Sequence, residues 1–229
     1  MVAAGQGARM GGVVPKQYRE LAGVPMLLRS LRPFTSHPEV EHVVVVLPPG
    51  DETVPPPWLA GLVGGGLSLA PGGSERSDSV AHGLSALPGH CRTVLVHDAA
   101  RPLVDRGTSD RVIEVARTGA GAVRAVQLGD TVKEVGSDDP ALAVRTTVPR
   151  ERLWRAQTPQ GFSRALLEEA HARARSEGIR GTDDAMLLER LGATVRLVQG
   201  SALNFKVTTE EDFRLAELVL KADSGPRET

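Results

Sequence analysis

The sequence predicts an α/β fold: a doubly wound, mostly parallel sheet of Rossmann-like character. Apolar β-branched runs recur along the chain, and segments of helical periodicity separate them, the alternation of βαβ units. The clearest run, Val43-Val44-Val45-Val46-Leu47, has no polar alternate, as expected of a strand covered on both faces. At 229 residues, 41% hydrophobic and 24% charged, the chain is long enough for a substantial core and is expected to be one domain, 1–229.

The first element is a loop, Ala3-Ala4-Gly5-Gln6-Gly7-Ala8-Arg9-Met10-Gly11, followed by Pro15-Lys16-Gln17. A helix is expected over 26–34, a strand over 43–47, and a Pro- and Gly-rich surface loop over 48–66. Then come a helix over 77–87, a strand at 93–97, a helix over 105–118 and a strand at 122–126. Residues 129–150 interrupt the rhythm: two short strand-like runs surround the turn-rich Gly136-Ser137-Asp138-Asp139-Pro140. An isolated two-stranded ribbon is marginal in water, so this one is expected to pack on something, such as a second subunit. Helices over 163–177 and 183–191, a strand at 194–198, a helix over 210–222 and a frayed tail from 223 complete the chain.

Composition narrows the function. Net charge is −1, which argues against general nucleic-acid binding. No apolar run reaches the length of a membrane helix, and Cys91 is alone, so a reducing, cytoplasmic setting is expected. The six histidines show no metal-ligand spacing. Only Lys16, Lys133, Lys206 and Lys221 are lysines, in a chain that otherwise uses arginine. A retained lysine suggests a need for a compact ammonium.

The glycine loop is suited to an anion. Gly5 and Gly7 allow close backbone approach, successive N–H groups form a concavity, and Arg9 and Lys16 add positive charge. It is not a dinucleotide fingerprint, because Met10 stands where the third glycine belongs. Nor is it a Walker loop, because Val13 follows Gly12 in place of lysine. In open α/β sheets ligands bind at the carboxyl ends of strands. There lies His97-Asp98-Ala99-Ala100-Arg101, with Asp98 placed as a metal ligand near phosphates or as a helix cap. Gly72-Gly73-Ser74-Glu75-Arg76-Ser77-Asp78-Ser79 precedes a helix and either binds a ligand or caps that helix. Thr182 reads as an N-cap, and Thr209 with Asp212 as a capping-box variant.

Taken in order, AAGxGxRMG…PKQ, GGxxRxxSV, VHDAARP, DTVK, LWxxQTPQxF, TDDA and NxKVTxxD resemble the 2-C-methyl-D-erythritol 4-phosphate cytidylyltransferases, from Ala3 to about Phe213. The resemblance implies a homodimeric nucleotidyltransferase of the non-mevalonate isoprenoid route, using CTP, a sugar-alcohol phosphate and Mg²⁺. By motif position it implies Arg9 and Lys16 as transition-state stabilisers and Ala3, Ala4, Gly5 and Gly7 as nucleotide-binding backbone. Gly73 and Ser79 fall near the cytosine, and Asp98 and Arg101 near phosphates, metal and sugar. Thr131, Arg150, Thr158, Thr182 and Lys206 fall on the acceptor side, with Lys206 and Arg150 also counted among the catalytic cations. In the family the 129–150 ribbon is a dimerisation arm that crosses to the partner, so the active sites are expected to be shared.

Two departures stand out. Members of the family carry an apolar strand ahead of the glycine loop, whereas here only Met1 and Val2 precede Ala3; an upstream start with such a segment is expected. Ser74 stands where members often have aspartate. The alternatives are transfer to ribitol 5-phosphate, a catalytically inactive nucleotide-binding module, and a nicotinamide oxidoreductase, the last disfavoured by Met10.

Overall fold

The computed structural model describes residues 1–5, 14–136 and 142–223. Gly7, Arg9, most of the turn of the ribbon and the tail beyond 223 lie outside the described residues. In chain order the elements begin with β1 (Glu20–Leu21), β2 (Val24–Pro25), α1 (Met26–Thr35), β3 (Val43–Leu47), α2 (Pro57–Ala60) and β4 (Leu67–Pro71). There follow α3 (Arg76–Ser85), β5 (Thr93–Val96), α4 (Arg106–Arg117), β6 (Gly121–Gln127), β7 (Val132–Val135) and β8 (Val144–Val148). The last are β9 (Trp154–Ser163), α5 (Arg164–Ser176), α6 (Asp184–Arg190), β10 (Val195–Gln199) and α7 (Glu210–Asp223).

β3 pairs parallel with β4, and β10 parallel with β6. Val2 joins the two halves, bridging Val46 on one side and Asp98 on the other, both in parallel. Ala3 N–H donates to Val46 O at 2.8 Å, Val2 N–H to His97 O at 2.8 Å, and Ala99 N–H to Val2 O at 3.0 Å. The order across the sheet is therefore β4, β3, residues 1–3, β5, β9, β6, β10. Residues 1–3 thus supply ladder partners to both halves of the sheet. The ladder stops at Met1, whose ammonium donates to Val44 O at 2.6 Å and is pushed down to about pKa 5 by burial. Beyond it β3 and β5 enclose a cavity of about 310 Å³, lined by Val44, Val94, Leu84, Phe34 and others.

The expected parallel sheet needs one correction. β9 runs antiparallel to both of its neighbours, β5 and β6, so the sheet is mixed. β9 is not foreshadowed by the sequence, because Gln157-Thr158-Pro159-Gln160-Gly161 carries polar and turn-forming residues where a buried strand ought to be apolar. Its ladder with β6 shifts register between Val123 and Ala125, and Pro159, which has no N–H to donate, lies in that irregular stretch. Gly161 is required by packing: a Cβ there would lie 2.7 Å from Val112 Cγ1 and 3.1 Å from Ala116 Cβ of α4.

Helices lie against both faces. Val43, Val45 and Leu47 pack with Leu27, Leu31 and Phe34 of α1, while Val44 and Val46 pack with Ala70 and Leu87. Val94, Val96, Val123 and Phe162 share a core with Val80 and Leu84 of α3 and with Leu167 and Leu188. A large side chain buried here contributes about 1.5–3 kcal/mol, so these layers fix the strand ends from which the site is built.

Candidate active site

The carboxyl ends of β4, residues 1–3 and β5 converge on one edge. After β4, Gly72 comes so close to the start of the glycine loop that a Cβ on it would lie 2.3 Å from Ala4 Cβ. Gly73 N–H donates to Ser79 Oγ at 3.1 Å, and that hydroxyl donates to Glu75 O at 3.1 Å. Ser79, buried in α3, therefore fixes the backbone of the Gly72–Gly73 turn. Glu75 and Asp78 form a reciprocal capping box at the start of the same helix.

Asp98 is the centre of the site. It is 7% exposed, its Oδ1 accepts from Arg76 Nε at 3.1 Å, and its Oδ2 accepts from Lys206 Nζ at 2.8 Å. Burial alone would raise its pKa, but Arg76 and Lys206 outweigh that and hold the carboxyl well below the usual carboxylate range. Lys206 lies in the segment before α7, whose start is fixed by Asp212 N–H donating to Thr209 Oγ1 at 3.1 Å and Thr209 N–H to Asp212 Oδ2 at 2.9 Å. Lys16 reaches the same segment from the other side, its Nζ donating to Val207 O at 3.2 Å. Two lysines from opposite ends of the chain thus meet around adjacent residues.

β9 supplies the struts. Asp98 N–H donates to Thr158 Oγ1 at 3.0 Å, and the Thr158 hydroxyl is 3.0 Å from His97 Nδ1. The Arg101 carbonyl, 3.2 Å from Nε2, can only accept, so Nε2 carries the proton of the neutral ring and Nδ1 accepts from the Thr158 hydroxyl. Burial pushes the His97 pKa down to about 3, in keeping with that neutral tautomer. Arg101 Nη1 donates to Asn204 O at 2.9 Å, and Asn204 Nδ2 to Thr158 O at 2.9 Å. Thr158 is thus buried and fully engaged within the protein. It orders the backbone beneath Asp98 and Asn204.

The structure gathers Asp98, Arg101, Thr158, Lys206 and Lys16 into one connected group, with Ala3, Ala4, Gly73 and Ser79 along its rim. Arg150 is exposed and donates to Gly129 O at the base of the ribbon, and Thr131 is exposed beside it. Thr182 is exposed as well, and the N-cap of α6 is Asp183, which accepts from Met186 N–H, not Thr182 as its hydroxyl suggested. Asp183 also accepts from Gln160 Nε2 at 2.7 Å, which ties this cap to β9 and explains the choice. Arg76 and Asp184 were not singled out from the sequence. Each is a charged residue at the first position of a helix, within GGxxRxxSV and TDDA respectively, and that placement is the signal the sequence carries.

Asp98 is a poor host for a divalent cation. Each carboxylate oxygen already faces a cationic donor, and Arg101 adds further positive charge nearby. Mg²⁺ takes one or two carboxylates at about 2.0–2.1 Å in near-octahedral geometry, which this crowded and largely covered group does not offer.

A family model described as 2-C-methyl-D-erythritol 4-phosphate cytidylyltransferase matches residues 1–222. The protein of that name from Desulforamulus reducens is 42% identical over 221 residues, covering 96% of this chain and 93% of the relative. Among solved structures, the cytidylyltransferase from Thermus thermophilus is 40% identical with a TM-score of 0.78, covering 93% of this chain and 96% of that one. The 4-diphosphocytidyl-2C-methyl-D-erythritol synthase from Anaerococcus prevotii is similar at 27% identity and a TM-score of 0.81, covering 96% and 95%.

Proposed function

The chain belongs to the 2-C-methyl-D-erythritol 4-phosphate cytidylyltransferase family, and we propose from that premise that it joins CTP to 2-C-methyl-D-erythritol 4-phosphate. The products are 4-diphosphocytidyl-2-C-methyl-D-erythritol and pyrophosphate. Neither transfer to ribitol 5-phosphate nor an inactive binding module is favoured by the relatives. The observation that carries the reading is the pair of ammonium groups, Lys16 and Lys206, brought to one segment beside Asp98.

The acceptor phosphate is itself the nucleophile. One of its oxygens forms a bond to the α-phosphorus of CTP as the bond to the β-phosphate oxygen breaks, and pyrophosphate leaves with that electron pair. A phosphate monoester is largely dianionic at neutral pH, so no general base is needed. The work of the protein is to bring two polyanions together and to stabilise charge on the crowded phosphorus, which positioning and fixed cations accomplish. Lys16 and Lys206 serve that charge, and Arg9 joins them by motif position. Ala3, Ala4, Gly5, Gly7 and Gly73 hold the nucleotide with backbone groups, and Ser79 serves it by fixing the Gly73 turn. Mg²⁺ would accompany CTP in this reading and supply charge neutralisation, with no step assigned to it and none to Asp98 as its ligand. Thr131, Thr182 and Arg150 approach the acceptor, the ribbon doing so across a homodimer. The doubly wound character of the sheet belongs to the same proposal and is supported by helices on both faces.

Pyrophosphate release with CTP, measured in parallel for methylerythritol phosphate and ribitol 5-phosphate, tests it. Turnover selective for the first acceptor is expected. Equal or preferred use of ribitol 5-phosphate, or no release with either, would overturn the assignment.

A further inference from the structure

Behind the Asp98–Lys206 pair, a line of ionisable groups runs into the protein. Lys206 Nζ contacts Asp98 Oδ2 at 2.8 Å, and Arg76 Nε contacts Asp98 Oδ1 at 3.1 Å. Arg76 Nη1 then contacts Asp184 Oδ2 at 2.8 Å, and Asp184 Oδ1 meets His171 Nε2 at 3.0 Å. The line crosses four separate pieces of structure before Lys206: α5, the first residue of α6, the first residue of α3, and the loop after β5. Asp184 is 1% exposed and Asp98 7%, so this is no solvated surface pair.

We propose that Arg76 is a positioning residue for the transfer reaction: its guanidinium, shared between Asp98 and Asp184, sets the orientation of the carboxylate that holds Lys206. The inference rests on the cytidylyltransferase reading. Its physical basis is the geometry of the shared cation. The terminal torsion of an aspartate is broad, so a carboxylate with one partner rotates readily. With Arg76 holding Oδ1, Asp98 presents only Oδ2 to Lys206. Released from Arg76, the carboxylate turns both oxygens onto the ammonium and draws it away from the phosphates. Asp184, itself gripped by His171, fixes the other arm of the guanidinium.

Two further observations fit a tuned arrangement rather than a merely adhesive one. Among the described residues Arg76 Nη2 is buried without a hydrogen-bond partner, so the group is not placed to satisfy all its own donors within them. A lysine could not replace it, because a single ammonium lacks the planar fork that meets two carboxylates from fixed directions. Burial works against the charge of Arg76, yet Asp184 and Asp98 reverse that and hold it firmly protonated.

A double-mutant cycle tests the proposal, since groups acting through one another give non-additive effects. Arg76→Gln in the otherwise unaltered enzyme should lower kcat by roughly 10- to 100-fold while changing the KM for CTP by less than about threefold. In a Lys206→Ala background the same replacement should cost less than about twofold, because the group it positions is gone. Arg76→Lys should not restore kcat. Asp184→Asn, which keeps an oxygen for Nη1, gives a milder member of the same cycle should Arg76→Gln fail to fold, and thermal unfolding of every variant corrects for folded fraction. Equal losses in both backgrounds mean a purely structural role and would overturn the proposal, as would full rescue by lysine. An unaltered chain that releases no pyrophosphate overturns the reading on which it rests, and the proposal with it, whereas an active enzyme with an additive cycle overturns the positioning role alone.

Discussion

The floor around Asp98 and the ribbon of β7 and β8 treat their side chains in opposite ways. On the floor, Asp98, Thr158 and Asp184 are buried and find partners within one chain, as does the amide nitrogen of the buried Asn204. On the ribbon, Arg145 and Glu134 form a loose exposed pair at 3.6 Å, Lys133 reaches Thr147 in solvent, and Val144 is 58% exposed. A hairpin with its apolar residues outward gains little from its own chain. The floor draws its hydrogen bonds from within one chain, whereas the ribbon leaves its polar and apolar groups facing solvent. Shape alone tells them apart less well than the fate of their polar and apolar groups.

The contrast is sharpened most by Lys16. Lys16→Ala should lower kcat about 10²–10³-fold with a smaller change in CTP affinity, the loss expected for one electrostatic group in the transition state. Near-normal turnover would remove the floor from catalysis. The next effect concerns the buried His97, which has a folded pKa of about 3 against an ordinary value of 6.5. Between those values the unfolded chain binds the extra proton, so stability falls as pH drops through 6.5 and this loss levels off near 3. At pH 5 it amounts to about 2 kcal/mol from this group. Urea unfolding at pH 7 and pH 5 reads it, and His97→Gln should flatten the difference. A slope unchanged by that variant would show that other groups carry it.

The third test addresses the ribbon. Lys16→Ala and Arg150→Ala, each inactive, should complement when mixed under subunit exchange, if Arg150 serves the neighbouring copy. One site of the mixed dimer then carries both defects and the other none, so about half the normal activity per heterodimer returns. With exchange confirmed by mass, a mixture that stays inactive would assign Arg150 to its own subunit.

Much of this was legible along the chain, and what was not has a common cause. Val43–Leu47 and Thr93–Val96 announce themselves because strands covered on both faces select β-branched residues. Asp98 and Lys206 are recognisable by position, one following a strand and the other preceding a helix. β9 escaped because Gln157, Thr158 and Gln160 are buried polar residues, satisfied by Ser201 O, His97 and Asp183 far away in sequence. Tertiary hydrogen bonds replace the apolar pattern there, and no local window contains them. Arg76 and Asp184 were obscured for a similar reason, since a charged residue in the first turn of a helix looks like ordinary surface until its partner, 108 positions away, is known.

The antiparallel placement of β9 has a consequence for synthesis. β5 and β6 follow one another in the chain, yet they do not touch in the sheet, because Trp154–Ser163 lies between them. As the chain emerges from the ribosome, both strands wait for a neighbour made only after the ribbon. At roughly 5–20 residues per second that wait lasts a few seconds. During it the facing edges of β5 and β6 offer unpaired backbone groups to any other nascent chain. Because the exit tunnel covers the last few tens of residues made, the codons that set the length of this exposure lie downstream of β9 and not within the ribbon.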